Sequence, residues 1–362
     1  MGCVNLFRPG SRRGTIGALI VRGFAVRIFA VLLFGLIALS AHSATVTDLY
    51  RVSVAVENQN SDTRAAGLAE AYRKMLVRLS GTSASLNNET LSREAPRAET
   101  HITSMSYHRD ESGALFMDVN FNPASLRTLF EMAQAPVWGT SRPSLLLLLA
   151  VETESGERQA LIQTSEWGEW VAAAMKERGL PYIFPSWDLE DEITLPLSRL
   201  WGQFEQDIRA MAERYPTDGY ISGRLWANAD SGWSFAGSLN HAGESVPVRV
   251  EGATPEAVVL VMASEAAESL SARYAVTAGG GAAANGFQIQ VGGIDGFSSY
   301  RALQDYLSAR VGIRDVRLMN ADQDTVTLSL NLSGDWEQIW RVIELDQKLE
   351  KRPGDERLYW LP

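Results

Sequence analysis

The chain has 362 residues, room for about two or three domains, and its 46% hydrophobic content with 10 Trp excludes a disordered polymer. Its formal net charge is -10. The first 43 residues hold Arg8, Arg12, Arg13, Arg22 and Arg27 and no acid, so taking away these five charges leaves a body of -15. So acidic a body disfavours a nucleic-acid partner, whose binding runs on phosphate neutralisation by Lys and Arg. Cys3 is the only cysteine, which removes thiol catalysis, disulfides and thiolate metal sites from everything after the leader.

Residues 1–27 are basic, and residues 28–39 are apolar apart from Gly35. Ser40, Ala41, Ser43 and Ala44 follow. This is the layout of a secretory signal peptide over residues 1–43, cleaved after Ser43 or, alternatively, after Ala44. An uncleaved inner-membrane anchor is the other reading of the same segment. Arg12 and Arg13 are placed too far from the apolar run to decide between general and twin-arginine export.

We expect α/β and α+β architecture in three small modules. The first, residues 45–136, reads β-α-β-β-α. Val52, Val54 and Val56 alternate on a strand, and Ser61 or Asp62 caps a helix that Gly81 ends. A hairpin turns at residues 110–113, and Pro123 opens a last helix that Pro136 stops.

The middle module, residues 142–276, is mixed α/β. Leu145 to Leu149 are consecutive leucines between Pro143 and Glu152. A short apolar run without alternation predicts a strand buried on both faces, central to a sheet with helices on each side. One helix follows with Trp167, Trp170 and Val171 on its stripe, then a short strand at 182–184. Glu190, Asp191 and Glu192 read as a solvated acidic turn. A single long helix is predicted from Leu197 through Tyr215, then a meander and a helix opened by Thr254 and Pro255.

Residues 277–286, rich in Gly and Ala, read as a flexible linker. The third module, residues 287–362, repeats the β-α-β-β-α order without a residue-level repeat, and its tail holds Tyr359 and Trp360.

The chemistry searched for is mostly missing from the sequence. His101 and His108 fall on opposite faces of one strand and do not converge on a metal. There is no nucleophile elbow and no Walker loop. No cofactor, metal or catalytic residue is expected. In open α/β sheets ligands lie outside the carboxyl ends of strands, so Glu152, Trp187 and Asp188 are the candidate binding residues, on one sheet edge if the strands there are parallel.

Three passages carry a resemblance: residues 50–56 (YRVSVAV) with 71–81 (AYRKMLVRLSG), residues 142–151 (RPSLLLLLAV), and residues 291–294 (VGGI) with Leu303 and Leu307. Together they resemble an exported family of Gram-negative bacteria known as domain of unknown function 2066. The resemblance implies export and domain order, and brings no catalytic residues. The element order of residues 143–275 is similar to the α/β domain at the start of the periplasmic protein TolB and in the curli secretion lipoprotein. The expectation is a periplasmic, non-catalytic binding or assembly factor with envelope proteins as partners. The rival readings are an envelope hydrolase working through carboxylates and an anchored subunit of an envelope complex.

Overall fold

The computed structural model describes residues 1–2, 44–228, 232–277 and 286–361. All but residues 1–2 of the expected signal peptide, and all but the ends of the expected linker, lie outside the described residues. Residues 41–362 form one unit.

The first module starts with β1 (Ala44–Thr45) and β2 (Arg51–Ala55). Helix α1 (Ser61–Ser80) follows, and its cap is Asn60, one residue before the expected pair: the Asn60 side-chain Oδ1 accepts the Thr63 amide at 2.8 Å. Leu68, Tyr72, Met75, Leu76 and Leu79 recur at helical spacing and are all buried. A short helix α2 (Glu89–Arg93) leads to β3 (Ile102–Arg109), β4 (Leu115–Phe121) and α3 (Pro123–Met132). The sheet runs β2-β4-β3, antiparallel throughout.

Two-residue strands β5 (Pro136–Val137) and β6 (Ser141–Arg142) come next. The sequence reads this stretch as a gap between domains, but the structure makes it the hub of the molecule. β6 pairs with β1, β5 pairs with β13 (Val276–Thr277), and the Trp138 amide donates to the Leu79 carbonyl at 2.7 Å.

In the middle module β7 (Leu145–Glu152) lies within the sheet, parallel to β10 (Gly219–Ala227) in unbroken register from Leu145 opposite Gly219 to Glu152 opposite Trp226. Every residue from Leu145 to Val151 is 0% exposed. Leu145, Leu147, Leu149 and Val151 enter the core under α4 (Glu166–Arg178) and α8 (Pro255–Tyr274), while Leu146, Leu148 and Ala150 enter a second core with Leu200, Ile208 and Met211. The two-face burial expected of the leucine run is therefore what the sheet does with it. Each fully buried leucine contributes about 2 kcal/mol of apolar transfer.

The remaining edge of β7 is shared by β8 (Arg158–Ala160), antiparallel, and β9 (Tyr182–Ile183), parallel. β8 is absent from the sequence reading; it is short and polar, with no alternation to betray it. A short helix α5 (Leu189–Thr194) forms at the acidic turn, and the long helix expected from Leu197 is instead two short ones, α6 (Leu197–Trp201) and α7 (Glu205–Ala212). Pro196 cannot continue a helix with its missing N–H, and Gln203 turns the chain at φ 55°. β11 (Trp233–His241) and β12 (Glu244–Gly252) complete the meander.

The third module comprises β14 (Phe287–Gly292), α9 (Phe297–Ser308), β15 (Ile313–Asp322), β16 (Thr325–Leu332) and α10 (Trp336–Asp346). Two further strands, β17 (Leu349–Lys351) and β18 (Leu358–Trp360), carry the tail into the sheet, ordered β15-β16-β14-β18-β17. Within the β-α-β-β-α unit both end modules put the first strand beside the third and the second on the far side, all antiparallel. Val276 belongs to the core of this module, so ordered structure continues up to the expected linker.

Candidate functional site

The three residues expected to bind are engaged in holding the fold. β7 and β9 are parallel, so their carboxyl ends do share an edge. The Glu152 carboxylate accepts from Arg158 Nε at 2.7 Å, because β8 folds back along β7. Trp187 takes a left-handed backbone, φ 50°, and its indole N–H donates to the Leu161 carbonyl at 3.0 Å. Its ring closes the second core. Asp188 caps α5 by accepting the Asp191 amide at 2.9 Å, and that bond is the main cause holding its carboxyl below the usual range.

The acidic turn differs from its expected form. Asp191 is 0% exposed and sits in the first turn of α5. Its carboxylate accepts from Arg214 Nε at 2.9 Å, the Tyr215 hydroxyl at 2.5 Å and the Ser186 hydroxyl at 3.2 Å. Only Glu190 and Glu192 remain on the surface.

A cleft of about 650 Å³ opens elsewhere, between the first module and the middle one. Its floor is the outer strand β2 with Val46 to Asp48; its far wall is the end of α4 and Leu180 to Tyr182. Sequence reasoning missed it because β2 and the end of α4, which face each other across it, are more than a hundred positions apart and carry no motif.

What fixes the two walls is a set of three arginines that bond carbonyls rather than carboxylates. Arg142 is fully buried. Its Nε donates to Gly139 O at 2.9 Å; Nη1 donates to Arg178 O at 2.9 Å and Gly179 O at 3.2 Å; Nη2 donates to Arg78 O at 2.7 Å and Trp138 O at 2.9 Å. The Trp138 ring lies 4.1 Å from the guanidinium carbon. Arg78 and Gly179 end α1 and α4, where unpaired carbonyls and the helix dipole favour a cation. Gly179 closes α4 at φ 66°, and a Cβ there would stand 2.8 Å from Arg142 Nη1. Burial pulls the Arg142 pKa down, and the nearby charges of Arg78 and Arg178 add to that. The second arginine, Arg78, donates to Glu177 O at 2.8 Å and to Arg51 O; the third, Arg178, donates to Gly81 O at 3.0 Å.

On the β2 side of the cleft Asp118 is nearly buried at 5% exposure. Its Oδ2 lies 3.1 Å from Arg51 Nη2 and 2.8 Å from His108 Nδ1. Burial pushes its carboxyl up, and bonds from Arg51, Ser53 and His108 outweigh this and hold it below the usual carboxylate range. Lys74 of α1 pairs with Glu177 of α4 at 3.2 Å, across the junction. Lys176 is exposed, and its side chain has no hydrogen-bond or ion-pair partner among the described residues. The lining thus has four cations, Arg51, Lys74, Arg78 and Lys176, against three carboxylates, Asp48, Asp118 and Glu177. The lining therefore carries one more cation than carboxylate, and Arg142, bonded to the lining residue Gly179, adds a buried positive charge beside it.

His101 and His108 do not meet: His101 Nδ1 lies 2.7 Å from the Ser125 hydroxyl, whereas His108 faces Asp118. Among the described residues no group of three or more His, Cys, Asp or Glu side chains is placed to hold a metal ion.

A family model described as a domain of unknown function (DUF8605) matches residues 43–139. The match takes in the first module and the connection from Pro136 as far as Gly139, so one wall of the cleft lies inside it and the other outside. No curated protein and no solved structure matches the chain.

Proposed function

We propose that the chain is an exported, non-catalytic binding or assembly factor of the bacterial envelope, and that the cleft between β2 and the end of α4 is where it holds its partner. The observation that carries this reading is the cleft's construction. Two modules are locked together by buried arginines, and the groove left between them presents a lysine whose side chain has no partner among the described residues and a half-exposed arginine, in an otherwise acidic body. Rigid walls reduce the ordering cost of association, and a charge contrast of this kind steers a partner and fixes its register.

Export rests on the sequence, from the basic and apolar segment that ends in small residues. Among the described residues no helix is long and apolar enough to cross a membrane. The likeness of residues 50–56, 71–81, 142–151 and 291–294, with Leu303 and Leu307, to an exported family supports the same placement.

The test has two arms. Residues 1–44 fused to alkaline phosphatase should give phosphatase activity in the periplasmic fraction; an inactive, cytoplasmic fusion ends the export claim. A photo-crosslinking residue at position 176 should capture an envelope protein in living cells, while the same residue at exposed position 301 should not. Equal capture at both positions, or at neither, removes the cleft from the proposal.

A further inference from the structure

The two end modules share one topology but not one boundary. In the third module the outer edge of the first strand, β14, is covered: β18 lies parallel to it, with Val291 opposite Leu358 and Gly292 opposite Tyr359. In the first module the first strand is β2, and among the described residues no strand lies on its outer edge.

The backbone of β2 shows what that edge offers. The Phe121 amide donates to Tyr50 O at 2.9 Å, and the Val56 amide donates to Leu115 O at 2.9 Å. Hydrogen-bonded pairs alternate along an antiparallel ladder, so Tyr50, Val52, Val54 and Val56 face β4. Arg51, Ser53 and Ala55 therefore point their N–H and C=O groups away from the sheet. Those of Arg51 are used, the amide by Asp48 O at 3.1 Å and the carbonyl by Arg78. The amides and carbonyls of Ser53 and Ala55 have no hydrogen-bond partner among the described residues, and both residues are exposed. An open edge of this kind is a template for another strand unless it is bulged, shortened, charged or covered. β2 pairs with β4 without a bulge, and neither Ser53 nor Ala55 carries a charge.

We propose that the free edge of β2 takes an extended, acidic peptide segment of a partner protein as an added strand, in the place that β18 fills on β14. The inference rests on the cleft being the binding site. Backbone bonds to Ser53 and Ala55 supply the docking, a mode in which main-chain pairing gives affinity and flanking side chains give selectivity. The side chains that flank the edge select acidic residues: Arg51 beside it and Lys176 on the opposite wall, with the buried guanidiniums behind. A basic segment would meet like charge in the groove.

The test uses the purified chain and two labelled synthetic peptides, one alternating valine with glutamate and one alternating valine with lysine, followed by fluorescence anisotropy. The acidic peptide should bind and the basic one should not. Lys176→Glu should weaken binding by about tenfold, the size expected for reversing one steering charge. Ala55→Pro removes one outward amide on an edge where proline is tolerated; it should abolish binding with the thermal midpoint unchanged. Failure of the acidic peptide to bind, equal binding of both peptides, or full binding by Ala55→Pro would each overturn the inference. So would dimerisation of the chain that Ala55→Pro abolishes, since a second copy would then be the occupant. Crosslinks from position 176 that persist in Ala55→Pro cells would leave the proposed function standing and strand addition refuted.

Discussion

Arg142 Nη2 donates to the Arg78 carbonyl at 2.7 Å, across the junction between the first and middle modules. All five guanidinium N–H bonds of Arg142 have carbonyl acceptors, and a guanidinium has five to give. No carboxylate takes part in the clasp. The cation is held by the carboxyl-terminal carbonyls of two helices that belong to different modules.

Arg142→Lys keeps the charge and should still be strongly destabilising. An ammonium has three donors and lacks the planar fork, so at least two buried carbonyls lose their partner. Each unsatisfied buried group costs about 1–3 kcal/mol, and we expect a loss of about 3 kcal/mol in urea unfolding. Limited proteolysis should then cut first within residues 137–144. A loss below about 1 kcal/mol would show that the clasp is not what fixes the two modules.

Leu147→Ala tests the two-sided sheet. Leu147 is 0% exposed and lies among packed side chains under α4 and α8. The substitution should cost about 3 kcal/mol, the lost transfer energy plus a cavity. Leu189→Ala is the control: Leu189 is 74% exposed and should change stability by no more than about 0.5 kcal/mol. Equal effects at the two sites would contradict the burial pattern.

The same leucines show how far the sequence is legible. A run without alternation leaves a strand only one way to be buried, so β7, the helix α4 and the short parallel strand β9 follow from residues 142–184. The order of elements in both end modules is legible for the same reason, because periodicity is local. The tail strand β18 and the hairpin strand β8 are too short to show a period and are specified by the strands they join. The strap at residues 136–142 reads as a boundary because it is short and rich in turn residues; only its long-range partners, such as Leu79 and Arg178, make it a hub. The cleft is illegible for a related reason. Arg51, His108 and Asp118 meet across three strands, and Lys176 joins them from another module. At the expected site, Glu152, Trp187 and Asp188 bond Arg158, the Leu161 carbonyl and the Asp191 amide, partners that no local sequence pattern announces.

That edge can be tested directly. Trp187→Phe keeps a ring in the second core and loses the indole bond to Leu161, so it should cost about 1 kcal/mol. Glu152→Gln leaves a partly exposed ion pair without its charge and should shift stability by no more than about 0.5 kcal/mol. Neither variant should alter crosslinking from position 176. A loss of capture in either would return these residues to the binding site.

The junction of β10, β11 and α8 predicts a pH dependence. His241 Nδ1 lies 2.8 Å from Asp218 O, and Nε2 lies 2.6 Å from the Tyr274 hydroxyl. Burial pushes the imidazole pKa below its ordinary 6.5, against the pull of Asp218 and Glu244 and with the push of Arg273. The folded chain therefore holds His241 neutral where the unfolded chain binds a proton. Stability contributed by the neutral imidazole is complete above about pH 6.5 and is lost as pH falls below it. Asp218 acts with the opposite sign in a lower window: burial raises its carboxyl against the Ser144 amide bond, so its contribution is gained as pH falls toward the carboxylate range. Between about pH 7 and 5.5 the histidine effect should therefore dominate. Urea midpoints measured across that window should decline with falling pH in the native chain, and His241→Gln should flatten the decline. An unchanged slope in His241→Gln would place the titration elsewhere.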